Sequence, residues 1–326
     1  MKDSAVVFVT DEGFLVPSLV AALQVLDQPK ARLLADVIVV LIDIDPERTA
    51  MLDCDFRDRG LRFLSMPSSL FLPPDSAFFN KTHVPKTALG RLALHRVLPQ
   101  EYQNVIYLDG DIQVVGDIAP LLRHRVAPQH VAAVPEGNWL CQGDFGGYWP
   151  KHRAYMAELG IDDAREYFNS GVLAFRLETW REMAPRALEY FHRHPERCLY
   201  HDQSALNAVF AGRLEPMSPA YNFASLYAEL GTADELEPRI IHFTGGNKPW
   251  NYAGPPWRGR FLGVYRDFIE QYPQLSPYLS LEVQPDSTIS RTSATGFLKA
   301  RVLSPWRRRR RRSLLRRRMA GAEFVF

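Results

Sequence analysis

Two aspartates separated by a glycine directly follow the apolar residues 105–108, in the sequence VIYLDGDIQV. Residues i and i+2 of a strand point to the same side, so Asp109 and Asp111 are expected to project together. Gly110 between them would let a ligand approach the backbone closely. A divalent cation such as Mn²⁺ or Mg²⁺ would relieve the repulsion between the carboxylates and bridge to substrate phosphates. A solvated turn capped by aspartate is the plainer interpretation of the same residues.

The sequence IIHFTGGNKPW, residues 240–250, holds a second group of chemically active residues. A predicted strand ends at His242, and a loop with Gly245 and Lys248 follows. The N–H groups of a glycine loop can cradle phosphate, and a lysine can supply the countercharge. A neutral imidazole would complete a site of two carboxylates and one nitrogen, which favours Mn²⁺ over Mg²⁺. The alternative for His242 is a packed core residue.

Two further segments place polar side chains ahead of apolar runs. In HDQSALN (201–207), Asp202 precedes a predicted helix, and an N-cap role would explain it. In YFNSGVLAF (167–175), residues 169–171 precede a predicted strand and are most simply a turn. Neither segment identifies a functional site when it is taken alone.

Alternating strands and helices must position these side chains. The predicted strands cover residues 4–12, 35–44, 61–66, 104–115, 130–136, 171–177 and 239–245. The predicted helices cover residues 17–26, 46–60, 85–99, 179–195 and 203–212. This α/β alternation of buried strands with helices predicts a parallel sheet with helices on both faces. Ligands of such sheets bind at the carboxyl ends of the strands, where Asp109 and Asp111 fall.

Composition limits the class of protein. The 326 residues are 46% hydrophobic, enough for the core of one large domain or two small ones. The three cysteines lack CxxC or CxxH spacing, which predicts neither a disulfide framework nor a zinc site and favours a reducing compartment. No signal-peptide pattern and no run of about 18 apolar residues is found.

Charge is distributed unevenly between the body of the chain and its C-terminal end. Residues 299–326 contain eleven lysines or arginines and one acid, a charge of +10, so the preceding residues carry −8 within a net charge of +2. We therefore divide the chain into a globular domain, 1–282, and a polar linker with an arginine-rich tail, 283–326.

The tail combines its arginines with Trp306 and two leucines, in SPWRRRRRRSLLRRRM. Basic residues near an anionic leaflet each contribute about 1 kcal/mol, and interleaved apolar groups can enter the interface. This pattern predicts association with an anionic membrane surface. A disordered end that binds nucleic acid or another polyanion is less favoured, because no base-stacking aromatic array accompanies the charges. Pro305 is expected to break any helix that passes through it.

The ordered motifs together resemble glycosyltransferase family 8, which includes glycogenin and the bacterial lipopolysaccharide galactosyl- and glucosyltransferases. The motifs are TDEGF, GRLALHRVLP, NVIYLDGDIQVVGDI, YFNSGVLAFRLETWR, HDQSALNAVFAG and IIHFTGGNKPW, and with the segments between them they cover residues 5–257. The lipopolysaccharide branch is the nearer, since a basic, aromatic tail recurs there. The resemblance implies the α/β GT-A fold of nucleotide-diphospho-sugar transferases, with a mixed central sheet and helices on both faces.

The resemblance also implies an activity and its residues. The activity is Mn²⁺-dependent, retaining transfer of a hexose from UDP-galactose or UDP-glucose, with Mg²⁺ as the alternative ion. The implied metal ligands are Asp109, Asp111 and His242. The implied donor-binding residues are Thr10, Asp11, Asp109, Gly110, Asp111, Gly245 and Lys248. The implied catalytic and sugar-binding residues are Arg91, Asn169, Asp202 and Gln203. An amide is a poor nucleophile, so same-face attack is favoured over a covalent intermediate on Gln203.

The acceptor implied by the bacterial branch is lipopolysaccharide core or another lipid-linked saccharide, at the cytoplasmic face of the inner membrane. Glu136 stands where that branch tends to have an aspartate, and Gly13 and Phe14 stand where a polar residue and a tyrosine are usual. These departures affect the identity of the sugar more than the activity. The alternatives are a catalytically idle nucleotide-sugar or polyanion-binding protein, and a nucleotidyltransferase. The latter class usually opens with a glycine-rich basic loop, whereas VTDEGFLVP is acidic.

Overall fold

The structure, a computed structural model, describes residues 2–72, 86–141, 149–282 and 294–326. Its strands are β1 Ser4–Thr10, β2 Asp36–Ile42, β3 Leu61–Met66, β4 Asn104–Leu108, β5 Ile112–Val114, β6 Val131–Pro135, β7 Phe168–Arg176, β8 Leu214–Pro216, β9 Phe223–Ala224 and β10 Ile240–His242. Its α-helices are α1 Leu15–Leu26, α2 Pro29–Leu34, α3 Pro46–Phe56, α4 Lys86–Gly90, α5 Leu94–Val97, α6 Ala119–Arg123, α7 Gly137–Leu140, α8 Trp149–Glu158, α9 Leu177–Arg193, α10 Asp202–Val209, α11 Ser225–Leu230, α12 Ala233–Leu236, α13 Leu262–Gln271 and α14 Ala294–Met319. Short 3₁₀ turns cover Glu12–Phe14, Ser68–Leu70, Arg91–Ala93, Pro195–Arg197, Pro219–Asn222 and Pro273–Tyr278.

The main sheet has seven strands in the order β3-β2-β1-β4-β7-β6-β8. Strands β3, β2, β1 and β4 are parallel, whereas β7 runs antiparallel to both of its neighbours, β4 and β6. The mixed sheet implied by the family resemblance is confirmed. The parallel sheet predicted from alternation alone is wrong, because apolar patterning records which residues are buried and not the direction in which a strand runs.

The centre of the sheet is covered on both faces. All seven residues of β1 are buried, and side chains alternate between the two faces of a strand, so neither face meets water. The β-branched residues of β1 and β2 suit such a doubly buried position. Helix α1 packs against β2 with eleven of its twelve residues buried. This rigid core fixes the carboxyl ends of β1 and β4, between which the functional residues lie.

The predicted strand over residues 104–115 is two strands in two different sheets. β4 ends at Leu108, and β5 pairs with β10 in a small second sheet of order β5-β10-β9. Residues 109–111 form the connection, so the two aspartates do not lie within one strand as predicted. The antiparallel register places His242 opposite Ile112, and the Phe243 N–H donates to Asp111 O at 2.9 Å. The break therefore brings the acidic pair beside the histidine.

The basic tail is helical through Pro305, which lies inside α14. The prediction that Pro305 breaks the helix is wrong. A proline removes one backbone hydrogen bond, at a cost of ~3 kcal/mol, and the part of α14 that follows it is held by tertiary contacts. Leu315 is only 1% exposed and packs with a cluster that includes Leu230. The predicted polar linker, 283–293, and the start of the predicted helix at residue 85 lie outside the described residues.

Candidate active site

At the carboxyl end of β4 the acidic pair, Asp109 and Asp111, meets His242, which lies far along the chain. His242 Nε2 lies 3.3 Å from Asp111 Oδ1 and 3.7 Å from Asp109 Oδ2. One ligand atom of each residue lies within 4.8 Å of the others. Two hard carboxylates and one imidazole form a donor set that suits a divalent transition metal or Mg²⁺. The residues predicted as metal ligands are therefore positioned so that they could hold one ion.

Neighbouring positive charges stabilise the buried carboxylates of this site. Burial opposes ionisation of Asp111, yet the neighbouring His242 and Lys248 hold the pKa of its carboxyl well below the usual range. Lys248 Nζ lies 2.5 Å from Asp111 Oδ2 and donates to Phe243 O at 2.8 Å. Burial alone would lower the pKa of His242, but the Asp111 carboxylate raises it. The site is thus electrostatically suited to a bound cation.

Two glycines allow the close packing around the acidic pair. A Cβ on Gly171, in β7, would overlap the His242 ring and lie 2.9 Å from Asp109 Oδ2. A Cβ on Gly110 would instead overlap the Ser18 hydroxyl of α1. Packing against α1 therefore requires glycine at position 110, and the predicted approach of a ligand there stays a prediction. Sequence reasoning missed the importance of Gly171, although the NSG run ahead of an apolar strand was a usable signal.

A buried arginine connects the metal-ligand group to a second carboxylate. Arg91 Nη2 lies 3.0 Å from Asp109 Oδ1, and its Nε lies 3.1 Å from Asp202 Oδ2. Its Nη1 donates to Ser170 O at 2.5 Å. Burial alone would lower the pKa of Arg91, but the Asp109 and Asp202 carboxylates raise it. The Tyr107 hydroxyl, which was not predicted, also donates to Asp109 Oδ1 at 2.6 Å.

Asp202 is buried to 4% exposure and is the first residue of α10. His201, with φ +52°, holds the N-cap position, so the capping interpretation of Asp202 is wrong. Burial raises the pKa of Asp202 to about 6, against the opposing charge of Arg91. Among the described residues, Asp202 Oδ2 has no aligned hydrogen-bond donor despite its proximity to Arg91. The Arg91 Nε–H donates instead to Ala88 O at 3.1 Å, so the carboxylate is held by the charge of Arg91 and not by an aligned hydrogen bond from it.

Asn169 and Gln203 lie beside this carboxylate. Asn169 is part of β7, at the irregular register between β6 and β7, so the predicted turn at residues 169–171 is instead strand. Its amide accepts from Gly171 N at 2.9 Å and donates to Glu136 Oε2 at 2.9 Å. Gln203 Oε1 accepts from Ser170 N at 3.1 Å. Both predicted residues are thus fixed by hydrogen bonds rather than left free at the surface.

Thr10 and Asp11, two of the predicted donor-binding residues, lie at the end of β1 and directly after it. Thr10 is fully buried, and its hydroxyl donates to Asp11 O at 2.9 Å. Asp11 Oδ1 accepts from Gly13 N at 3.0 Å, and this bond caps the 3₁₀ turn that carries Phe14. Gly245 has φ +96°, a conformation that favours glycine, in the loop that leads to Lys248.

An open cleft of about 300 Å³ brings part of the set together. Of the predicted residues, the cleft is lined by Arg91, Asp109, Gly110, Asp111 and Lys248. Phe14 forms another part of its wall, with Lys248 Nζ 5.9 Å from the ring centroid. The cleft thus combines two cations, two carboxylates and the aromatic rings of Phe14 and Tyr107. Among the described residues, no helix is both long and apolar enough to cross a membrane.

Solved structures place this fold in a known class. A galactosyltransferase, LgtC, crystallised with donor and acceptor sugar analogues, is 22% identical with a TM-score of 0.61, covering 86% of this chain and 98% of that one. The bifunctional glycosyltransferase WbbM is 17% identical with a TM-score of 0.64, covering 86% of this chain and 52% of that one. The fold is therefore the GT-A glycosyltransferase fold, as the resemblance implied.

Sequence comparison narrows the class to one family. The model of the family described as Glycosyl transferase family 8 matches residues 5–254 of this chain. The chain belongs to this family. General stress protein A of Bacillus subtilis is 29% identical over 187 residues, which are 52% of this chain and 61% of that protein. Probable galacturonosyltransferase-like 3 of Arabidopsis thaliana is 31% identical over 175 residues, 49% of each chain. This chain thus spans about half to three fifths of these curated relatives.

Proposed function

We propose that this family 8 glycosyltransferase transfers galactose or glucose from a UDP-sugar to a glycan, with retention of anomeric configuration and dependence on Mn²⁺. The observation that carries the proposal is the convergence of Asp109, Asp111 and His242 beside a cleft that also holds Arg91 and Lys248. A donor set of two carboxylates and one imidazole favours Mn²⁺ over Mg²⁺. No member of the set is missing, which argues against the idle-binding alternative.

The positions of the charged side chains support cleavage of the donor between the sugar and UDP. Cleavage of the donor leaves negative charge on the UDP β-phosphate, and Lys248 at the cleft wall would neutralise part of it. The bound cation would supply Lewis-acid stabilisation of the same pyrophosphate. Asp202, buried and paired with Arg91, would accept from a donor-sugar hydroxyl or stabilise positive charge at the anomeric carbon. Gln203 and Asn169 would orient that sugar.

The first experiment measures UDP release from UDP-galactose and from UDP-glucose, each with and without Mn²⁺. We expect slow hydrolysis of one donor that requires the ion and is lost in Asp111→Ala. Asp53→Ala, an exposed acid on α3, is the control variant and is expected to behave as wild type. If neither donor is hydrolysed and UDP does not bind in the presence of Mn²⁺, the proposed function is wrong.

We also propose that the tail attaches the enzyme to the cytoplasmic face of the bacterial inner membrane, near a lipopolysaccharide-core or other lipid-linked acceptor. Trp306 is 59% exposed and is followed by the exposed Arg307–Arg309, which supports this proposal. Sedimentation with anionic and zwitterionic vesicles tests it. We expect binding only to anionic vesicles, weakened by salt and by Arg307→Gln with Arg309→Gln. Equal binding to both kinds of vesicle would contradict it.

A further inference from the structure

The His242 ring is held by an asparagine that no sequence motif singled out. Asn222, 2% exposed at the end of a 3₁₀ turn, places its Oδ1 at 2.9 Å from His242 Nδ1. Its Nδ2 donates to Asn169 Oδ1 at 2.8 Å. Asn222 thus connects the residues proposed to bind the metal with those proposed to bind the donor sugar.

The direction of every hydrogen bond in this connection is fixed by one backbone group. The Gly171 N–H can only donate, so the Asn169 atom that faces it must be the oxygen. That oxygen also faces Asn222, so the Asn222 atom beside it must be the amide nitrogen. The Asn222 oxygen must then face His242, and Nδ1 of the imidazole must carry the proton. The Glu136 carboxylate agrees, because it accepts from the remaining Asn169 N–H.

The consequence for His242 follows from the two ring nitrogens. A neutral imidazole carries one proton, so a proton on Nδ1 leaves the lone pair on Nε2. Nε2 is the nitrogen that faces Asp111 and Asp109. Partners beyond the ligands that fix the tautomer of a metal-binding histidine typically contribute 10–100-fold to metal affinity.

We infer that Asn222 is a positioning residue that, oriented through Asn169 by the Gly171 N–H, holds His242 in the tautomer that presents Nε2 for metal binding. The inference rests on the proposed metal site for its purpose, although the hydrogen bonds that place a proton on Nδ1 involve protein groups alone. It also couples the sugar side of the site to the metal side, since Asn169 belongs to the same chain of hydrogen bonds.

The tautomer is measured directly in the metal-free wild-type protein. Protein labelled with ¹⁵N-histidine is recorded by long-range ¹H–¹⁵N NMR at pH 9, and the His242 signals are identified by their loss in His242→Gln. We expect a protonated Nδ1 and an unprotonated Nε2. A proton on Nε2 with none on Nδ1 would overturn the inference, whatever the protein does with metal or donor.

Metal affinity is then measured by the EPR signal of free Mn²⁺. We expect Asn222→Leu, which removes the acceptor, to weaken Mn²⁺ binding by about 10–100-fold. Asn222→Asp keeps an acceptor for His242 Nδ1 and is expected to restore binding to within a few-fold of wild type, while raising the KM for the donor because it cannot donate to Asn169. Unchanged affinity in folded Asn222→Leu would overturn the inference. A wild type that binds Mn²⁺ no better than Asp111→Ala would instead reject the proposed metal site.

Discussion

The candidate site is a group of largely buried, opposite charges that stabilise one another. Arg91 lies between two carboxylates, and Lys248 lies against a third. Removing one partner of such a buried pair costs more than the pair contributes, because the remaining charge stays desolvated. Substitutions here are therefore expected to affect folding as well as activity, and the most informative variants are those that change geometry and leave charge unaltered.

Gly171→Ala is such a variant. The added methyl group would overlap the His242 ring, so we expect weaker Mn²⁺ binding and loss of donor hydrolysis while the far-ultraviolet circular dichroism stays native. The control is Gly263→Ala in α13, where nothing lies within 4 Å of the added carbon. That control is expected to keep full activity and to gain about 0.4–1 kcal/mol of stability. Wild-type Mn²⁺ affinity in Gly171→Ala would show that the close packing is not required.

The raised pKa of Asp202 predicts that the stability of the protein depends on pH. Its pKa is raised to about 6 by burial, against ~3.9 for an unfolded aspartate. The folded state therefore holds the proton more tightly, and the contribution of Asp202 to stability falls as pH rises from about 4 to 6, by up to about 3 kcal/mol. Urea unfolding of chelator-treated wild type and Asp202→Asn from pH 4 to 8 measures the difference. Parallel stability curves would contradict this prediction.

The C-terminal half of α14 packs on the preceding part of the chain through the buried Leu315 and several ion pairs. Leu315 contacts the cluster that contains Leu230, and Arg312 and Arg316 both pair with Glu235. Arg318 Nη1 donates to Trp139 O at 2.7 Å, at the end of α7. Since α7 is capped by Glu136, which accepts from Asn169, the tail supports an element next to the proposed sugar site.

Leu315→Ala is expected to loosen this helix. Truncation of a buried leucine costs about 2–5 kcal/mol, so local opening and tryptic cleavage within the arginine run should increase by roughly 30-fold or more. The neighbouring Leu314→Ala, at a half-buried position, is the matched control and should change the cleavage rate little. Equal cleavage rates for the two variants would mean that the Leu315 contact does not hold the tail.

The last residues of the chain pack against its globular part. The Val325 N–H donates to Pro216 O at 3.1 Å. The centroid of the Phe326 ring lies 4.7 Å from that of Tyr221 and 5.3 Å from that of His124. The division into 1–282 and 283–326 stays a prediction, but these contacts indicate that the second part contributes to the stability of the first. Its exposed segment around Trp306 would remain available to a membrane while the residues from 312 onward are held.

Truncation after residue 282 is therefore expected to lower thermal stability. Loss of the contacts of Leu315, Val325 and Phe326 should reduce Tm by roughly 5–10 °C, at about 2–4 °C per kcal/mol for a domain of this size. Differential scanning calorimetry measures the change, with the full chain carrying Arg307→Gln and Arg309→Gln as the control for lost charge. An unchanged Tm in the truncated protein would show that the tail does not stabilise the rest of the chain.

The sequence by itself determined most strands of the main sheet and the family. The apolar runs of β1 and β2 and the acidic pair that follows β4 are local patterns. All three can therefore be recognised in the sequence before the fold is known. The same holds for the predicted site residues that lie within ordered motifs, including Arg91, Asp109 and His242.

Only the tertiary structure decided how those elements meet. The direction of β7, the separation of β4 from β5 and the approach of Gly171 to His242 depend on pairing between distant segments, which local patterning does not encode. Asn222 carried no signal in SPAYNF because its role exists only once β9 and β10 are paired. The continuation of α14 through Pro305 likewise depends on contacts that local propensity cannot supply, since packing and not propensity provides most helical stability in proteins.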